Sequence, residues 1–240
     1  MSSVRLLIQY APLNIGSVLK LSREDSKYLF NVLRMKNGEL IEVTDGKGSS
    51  FLAELVNIQH LKILEKVQSL SENSFSLFLC QALLKGDKMD MVVQKATELG
   101  VRKIIPFFSE RSILKDTRKV DRWQKIAKEA TEQSGRSLIP EISKVQSYKN
   151  LIENTENGIV FWEGSKENFI NIFNYIDISS SLSLFIGPEG GFTKEEIKIA
   201  EDKGLKIASL GKRILRAETS AIAALAIVNF LMENYAIIKK

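Results

Sequence analysis

The glycine-rich segment Gly-Pro-Glu-Gly-Gly at residues 187–191 follows an apolar run at residues 184–186. Three glycines let the backbone approach a ligand closely, and ligands of α/β sheets bind at the carboxyl ends of strands. Thr193 and Glu196 have the spacing of a capping box, which predicts a helix directly after the loop. Because the phosphate-binding patterns G-x-G-x-x-G and P-loop are absent, the segment is either a ligand loop of another kind or a tight turn without a ligand.

A second segment, residues 209–221, places charge between two apolar elements. It follows a predicted strand at residues 206–210 and opens the most apolar helix of the chain. Charge beside buried elements is costly unless it is paired or used. The cluster of Arg213, Arg216 and Glu218 therefore predicts either a functional site or a surface pair of Glu218 with one of the two arginines.

The composition excludes several kinds of chemistry. The chain has one cysteine, Cys80, and one histidine, His60. No intramolecular disulfide or thiolate metal cluster can form, and zinc or Ser-His-Asp catalysis is disfavoured because both use imidazole. We expect no metal. The net charge of +5 favours polyanionic partners only modestly.

The first 72 residues are predicted to form a small β-barrel-like module. Apolar runs on both sides of Asp45-Gly46 indicate a hairpin, and residues 63–67 suggest a further strand. One helix is predicted over residues 22–33, with Ser22 as its cap. The polar segment at residues 69–74 predicts a domain boundary, which divides the chain into residues 1–72 and residues 73–240.

Strand and helix patterns alternate in the second region. Strands are predicted at residues 75–84, 101–108, 159–162, 182–186 and 206–210, and helices at residues 87–99, 118–133, 195–203 and 220–235. This alternation indicates an α/β domain with a parallel sheet. The longest apolar run is shorter than the roughly 20 residues of a membrane span, and the first residues lack a signal-peptide core. We therefore expect no membrane association and a cytoplasmic location.

The predicted helix at residues 118–133 carries a basic face. Arg118, Arg122 and Lys125 recur at spacings of four and three. A solvated helix face is one interpretation. A stripe that contacts phosphates and continues to Arg136 is the other.

Taken together, these segments resemble a known family. Ile-Gly-Pro-Glu-Gly-Gly at residues 186–191 and Leu-Gly-Lys-Arg-Ile-Leu-Arg-Ala-Glu-Thr-Ser-Ala at residues 210–221 are similar to motifs of the small-subunit (16S) rRNA uridine-N3 methyltransferases (RsmE type) of the SPOUT superfamily. Matching segments in the same order cover essentially the whole chain. They lie at residues 32–35, 45–46, 85–90, 94–101, 106–111, 132–136 and 140–142.

The resemblance implies more than the residue patterns do. It implies a PUA-like RNA-binding module, a SPOUT-like domain with a trefoil knot, a homodimer, S-adenosyl-L-methionine as cofactor, and 16S rRNA or the small ribosomal subunit as partner. The cofactor-binding residues implied are Glu163, Ile186, Gly187, Gly190, Gly191, Leu210, Gly211, Ile214, Leu215 and Arg216. The residues implied for RNA binding are Arg5, Arg34, Lys85, Lys88, Arg111, Arg118 and Arg122.

The implied reaction predicts catalytic residues. N3 of uridine carries a proton at neutral pH, so the enzyme must help to remove it or stabilise the resulting anion. Arginine suits the second task because it is always charged and planar, and we predict this role for Arg216 and Arg136. Glu189 and Glu218 are predicted to orient an arginine or to relay a proton.

Departures and rival functions complete the interpretation. Tyr28 and Asn31 stand where many relatives carry His and a basic residue, which puts the N-terminal RNA contacts in doubt, and Lys212 stands where Pro is common. The rival functions are a non-catalytic RNA-binding assembly factor and a nucleotide-binding α/β protein. Affinity for S-adenosylmethionine separates all three.

Overall fold

The computed structural model describes residues 4–68, 71–173, 175–176 and 181–234. These residues form two compact units. One unit runs up to Glu72 and includes Thr131–Ile139, and the other contains Asn73–Ala130 and the chain from Pro140 onward. The domain boundary predicted after residue 72 assigns residues 131–139 to the second region, whereas the structure packs them with the first unit.

A five-stranded sheet forms the first unit. Its order is β1-β3-β4-β5-β2, with β1 parallel to β3 and the other pairs antiparallel. The predicted Asp-Gly hairpin is confirmed as the β3–β4 pair, and bulges in the β4–β5 register bend the strands around the core. The strands are β1 (Arg5–Leu7), β2 (Val18–Lys20), β3 (Leu40–Thr44), β4 (Ser50–Asn57) and β5 (His60–Val67).

The predicted helix at residues 22–33 is confirmed in two parts. Ser22 Oγ accepts the Asp25 N–H at 3.0 Å and caps α1 (Arg23–Lys27). The chain then continues as a π-helical turn, Tyr28–Val32, which buries Leu29 in the core of the sheet. Arg34 follows with a φ of +56°, a left-handed conformation that is uncommon outside glycine.

The second unit contains a parallel sheet in the order β12-β10-β11-β6-β7-β8, and β9 also pairs with β7. Every pairing in it is parallel, which confirms the predicted α/β architecture. The strands are β6 (Leu77–Ala82), β7 (Lys103–Phe108), β8 (Glu141–Ile142), β9 (Gln146–Ser147), β10 (Gly158–Phe161), β11 (Leu182–Ile186) and β12 (Lys206–Ala208).

The central strands end together. Phe161 is paired in register with both Ile186 and Ala208, and Ile186 is paired with Gln81. Because parallel strands run in one direction, the loops that follow β6, β10, β11 and β12 leave from a single edge of the sheet. This edge is where ligands of α/β sheets bind.

Six further helices accompany this sheet in the described part of the chain. They are α2 (Lys88–Glu98), α3 (Val120–Ser134), α4 (Tyr148–Glu153), α5 (Phe169–Phe173), α6 (Lys194–Asp202) and α7 (Ala217–Glu233). Helix α7 packs against α2 and β11, while α6 packs against α4 and β12. Within the described ranges, no helix is long and apolar enough to cross a membrane.

Aromatic side chains support the strand ends from one side. Phe107, Tyr148, Phe185 and Phe192 are buried, with ring centroids 5.2 to 6.4 Å apart. Tilted and edge contacts of this kind stabilise beyond the area they bury. The cluster gives the loop after β11 a rigid base, since Phe192 is part of that loop.

Candidate active site

A cavity of about 440 Å³ lies at the carboxyl edge of the parallel sheet. The glycine-rich loop after β11, residues 187–191, forms one wall, and the chain that leads into α7 forms another. The lining residues are 186–192, 214–217, Lys88, Phe161, Glu163 and Ser220. The structure therefore brings together eight of the ten predicted cofactor-binding positions.

The two remaining positions, Leu210 and Gly211, do not line this cavity. Leu210 lines a second, mostly apolar cavity of about 340 Å³ beside α5 and α7. Gly211 has a φ of +115° and is held by its neighbour, because its N–H donates to Ser209 Oγ at 3.1 Å. Their roles in cofactor binding stay predictions.

The glycine-rich loop ends in the predicted capping box. Thr193 Oγ1 accepts the Glu196 N–H at 3.2 Å, and Glu196 Oε2 accepts the Thr193 N–H at 3.0 Å. The second carboxylate oxygen of Glu196 accepts the Glu110 N–H at 2.8 Å. Glu196 thus joins the start of α6 to the loop after β7 and fixes the end of the glycine-rich loop.

Side chains of other residues pack closely against the glycines of this loop. A Cβ on Gly187 would lie 3.1 Å from the Phe192 ring, and a Cβ on Gly190 would lie 3.1 Å from Arg111 Cβ. Arg111 also donates from Nη1 to the Gly190 carbonyl at 3.0 Å. Larger residues would displace neighbours that shape the wall of the cavity.

Gly191 faces the opposite wall. Its φ is +69°, and a Cβ there would lie 2.9 Å from Glu163 Oε1. Contacts below 3.0 Å force something to move, so a side chain at this position would displace the Glu163 carboxylate. Glu163 itself lines the cavity, as predicted for a residue that follows β10.

Glu189 is held as a carboxylate. Burial by itself would raise its pKa, but hydrogen bonds from its own backbone N–H and from the Lys85 N–H, and the Lys88 ammonium, together lower the pKa below its ordinary value. Its Oε1 accepts from Lys88 Nζ at 3.1 Å and from Lys85 N at 3.2 Å. A carboxylate with a lowered pKa is a weak base, so the geometry favours a positioning role over proton transfer.

Glu218 shares the same ammonium. Its Oε2 lies 3.9 Å from Lys88 Nζ, the side chain is 12% exposed, and this oxygen is buried without a hydrogen-bond partner in the described chain. Neither Arg213 nor Arg216 forms an ion pair with it in that part of the molecule. The sequence left the partner of Glu218 undecided, and the structure pairs this carboxylate with Lys88.

Of the two predicted catalytic arginines, Arg216 reaches the cavity. It is the N-cap residue of α7, its side chain is exposed, and it lines the cavity beside Leu215. Ile214, which precedes this pair, is 85% exposed. A cation and an apolar side chain at the rim suit a planar, partly charged ligand.

The other predicted catalytic arginine, Arg136, does not line this cavity. It belongs to the first unit, and its side chain is 3% exposed. Its Nη2 donates to Glu72 Oε2 at 2.7 Å, and Glu72 Oε1 accepts the N–H groups of Ser137 and Leu138. This ion pair fixes the segment at residues 131–139 within the first unit.

The predicted RNA-binding residues fall into two groups. Arg34, Lys85, Arg111, Arg118 and Arg122 are exposed, although Arg111 donates to the Gly190 carbonyl and Arg122 pairs with Asp90 at 2.5 Å. Arg5 and Lys88 are less exposed and pair with Glu42 at 2.7 Å and with Glu189. The exposed group is better placed to meet a polyanion.

Several cavity residues escaped the sequence analysis. Phe161, Phe192, Ala217 and Ser220 are ordinary core or helix residues by type, and only their place at strand and helix ends brings them to the cavity. Lys88 was predicted to contact RNA, although it lies in the cavity wall. In the described residues no group of three or more His, Cys, Asp or Glu side chains is suited to a metal ion.

Two known families match successive parts of the chain. Residues 71–229 match the RNA methyltransferase domain family, and residues 21–66 match the RNA methyltransferase PUA domain family. The ribosomal RNA small subunit methyltransferase E of Bacillus subtilis is 34% identical over 88% of this chain and 89% of its own length. The protein of that name from Synechocystis is 33% identical over 92% of this chain and 75% of its own length.

Solved structures give the same result. The ribosomal RNA small subunit methyltransferase E of Neisseria gonorrhoeae, bound to S-adenosyl methionine, is 31% identical with a TM-score of 0.82, covering 95% of this chain and 98% of its own. A putative methyltransferase of Legionella pneumophila in complex with the same cofactor is 30% identical with a TM-score of 0.78, covering 96% and 98%. The family match, the relatives and the shared fold establish that this chain is a member of the ribosomal RNA small subunit methyltransferase E family.

Proposed function

We propose that this protein transfers the methyl group of S-adenosyl-L-methionine to N3 of a uridine in the 16S rRNA of the small ribosomal subunit. The cavity at the carboxyl edge of the parallel sheet carries the proposal. It is formed by the two segments that resemble the family motifs, and the Neisseria relative, which shares the fold over nearly its whole length, binds this cofactor.

The residues of the cavity fit this ligand. Gly187, Gly190 and Gly191 line the cavity without side chains, so their backbone forms part of a wall that an adenosine can approach. Phe161 and Ile186 offer apolar contact, and Glu163 and Glu189 offer hydrogen-bond acceptors. When bound, the cofactor supplies a methyl group on a positively charged sulfur, which needs no metal for activation.

The proposed cofactor-binding residues are those predicted from the sequence. Eight line the cavity, namely Glu163, Ile186, Gly187, Gly190, Gly191, Ile214, Leu215 and Arg216. Leu210 and Gly211 are proposed to join them by a rearrangement of the segment at residues 209–213, whose Lys212 and Arg213 are exposed.

Arg216 is the proposed catalytic residue. Loss of the N3 proton leaves negative charge on the uracil oxygens, and a guanidinium offers paired donors to such an anion. The exposed Arg216 at the cavity rim is free of ion pairs in the described chain, so its charge is available to a substrate. Arg136 also stays proposed for catalysis, but its pairing with Glu72 supports a structural role.

The proposal extends to a dimer of two copies of this chain. We expect a homodimer, because Ile170, Ile227 and Phe230 are exposed around the second, apolar cavity, and large exposed apolar patches mark interaction sites. The trefoil knot and a cytoplasmic location, where rRNA is modified, belong to the same proposal. Arg34, Lys85, Arg111 and Arg118 are the proposed contacts to the rRNA backbone.

Reverse transcription tests the proposal. N3 lies on the pairing edge of uracil, so its methylation blocks pairing and stops reverse transcriptase, whereas a ribose methyl leaves that edge intact. Small-subunit rRNA from cells lacking the enzyme would be treated with the wild type, Arg216→Ala or the control Arg102→Ala, which changes an exposed arginine with no proposed role. We expect a new stop at one uridine with the wild type and Arg102→Ala. Arg216→Ala should give little or no stop even at cofactor concentrations that saturate it.

Two results would contradict the proposal. Methyl transfer by the wild type without any new stop at a uridine would exclude N3 as the acceptor. Absence of S-adenosylmethionine binding in calorimetry with folded wild-type protein would exclude the methyltransferase activity and leave an RNA-binding factor.

A further inference from the structure

The charged residues that line the cavity balance one another in number: Lys88 and Arg216 are cations, and Glu163 and Glu189 are carboxylates. Glu218 adds a third carboxylate, since its Oε2 lies 3.9 Å from Lys88 Nζ. The group as a whole therefore contains two cations and three carboxylates.

Glu218 is the carboxylate of this group whose charge is compensated least. Lys88 Nζ lies closer to Glu189, at 3.1 Å, than to Glu218. Glu189 also accepts the Lys85 N–H, whereas Glu218 Oε2 is buried without a hydrogen-bond partner among the described residues. A buried carboxylate oxygen in this condition is unfavourable unless a cation or a donor completes its surroundings.

Glu218 is close to the ligand space. It stands in the first turn of α7, between Ala217 and Ser220, and both of these residues line the cavity. Its side chain is 12% exposed, so water screens its charge less than it screens an exposed carboxylate. A positive ligand charge in the cavity would balance the group.

We propose that Glu218 makes the cavity discriminate by charge between S-adenosylmethionine, whose sulfur is positive, and S-adenosylhomocysteine, whose sulfur is neutral. The inference rests on the proposed function, because it takes this pair of ligands from it. Glu218 acts as a specificity residue that favours the charged cofactor and speeds loss of the uncharged product. Lys88 opposes the effect, since its ammonium partly neutralises the carboxylate.

Calorimetric titration with each of the two ligands tests the proposal. Glu218→Gln keeps the shape of the side chain and removes its charge. The preference for S-adenosylmethionine over S-adenosylhomocysteine should fall by about tenfold, the size of one partly desolvated charge interaction. Lys88→Met should shift the preference in the opposite direction.

The control is Glu195→Gln, which makes the same change at an exposed carboxylate in the first turn of α6. It should leave the preference unchanged. If Glu218→Gln weakens both ligands by the same factor, or neither, Glu218 does not discriminate by charge. If Glu218→Gln does not fold, Lys88→Met is measured in a Glu189→Gln background, where Glu218 is the remaining carboxylate paired with Lys88. An unchanged or lower preference in that background overturns the proposal. Wild-type protein that binds neither ligand would instead refute the proposed function.

Discussion

A comparison of Gly191→Ala with Gly204→Ala measures how much the cavity wall beside Gly191 contributes to cofactor affinity. Both glycines have left-handed φ, +69° and +90°. A Cβ on Gly191 would lie 2.9 Å from Glu163 Oε1, while a Cβ on Gly204 meets nothing within 4 Å. The two variants therefore share backbone strain and differ in the contact with the cavity wall.

The backbone strain that both variants share should lower the free energy of unfolding. An alanine in the left-handed region costs about 1–2 kcal/mol. For a chain of this length each kcal/mol lowers the melting temperature by about 2–4 °C. Gly191→Ala and Gly204→Ala should both show a loss of this size in thermal unfolding followed by circular dichroism.

Ligand affinity should separate the two variants. In Gly191→Ala the methyl group displaces the carboxylate at the flexible end of the Glu163 side chain from its place in the wall. We expect S-adenosylmethionine affinity to fall by up to about tenfold, which corresponds to about 1.4 kcal/mol, in Gly191→Ala and to be unchanged in Gly204→Ala. Calorimetry on the folded variants measures both.

A double variant tests the cause. In a Glu163→Ala background the carboxylate is gone, so Gly191→Ala should cost much less affinity than it does in the wild type. Equal losses in the two backgrounds would show that the contact with Glu163 is not responsible. Normal affinity in Gly191→Ala itself would refute the placement of the ligand against this wall.

Three further predictions follow from other contacts. Glu72→Gln removes the carboxylate that pairs with the buried Arg136 guanidinium, and it should lower the free energy of unfolding by about 3–5 kcal/mol in denaturant titration. The control Glu42→Gln, at a more exposed pair, should cost about 1 kcal/mol. An equally small loss in Glu72→Gln would contradict the prediction. Because the pKa of Glu189 is lowered in the folded protein, its stabilisation is present above the ordinary carboxyl value of 4.5 and lost as the pH falls through the folded pKa. The wild type should therefore exceed Glu189→Gln in stability by up to about 1 kcal/mol at neutral pH, and the difference should vanish in acid; a difference that grows on acidification would be opposite in sign. Phe230→Asp, at a side chain that is 65% exposed, should convert a dimeric mass in light scattering to a monomeric one, and a monomeric wild type at micromolar concentration would refute the dimer.

Local patterns predicted most of the elements. Hydrophobic patterns and stop residues indicated helices α2, α3, α6 and α7 to within a few residues, because α2, α3 and α6 each carry an apolar face and α7 is apolar over most of its length. Most of the short elements were missed, namely the strands β1, β2, β8 and β9 and the helices α4 and α5. Segments this short have too few residues for a periodic pattern, and their packing partners decide their conformation.

The glycine-rich loop at residues 187–191 was predictable from the sequence only in part. The Thr193–Glu196 capping box was predictable, because both of its hydrogen bonds join residues three apart in sequence. The approach of Arg111 to Gly190 joins residues 79 apart, and no sequence spacing encodes it. Hence the loop was predicted, while the residues that shape its walls were not.

The amino-acid sequence by itself determined the class of the protein: its α/β second region, its strand-rich first region, and the two segments at residues 186–191 and 210–221 that carry the family likeness. The tertiary structure alone decided the partners of the charges. It placed Arg136 against Glu72 in the first unit, and it placed Lys88 between Glu189 and Glu218 at the cavity. The physical reason is that residue type sets which charges a chain carries, whereas ion pairing depends on distances of a few ångströms, which arise only when remote segments pack together.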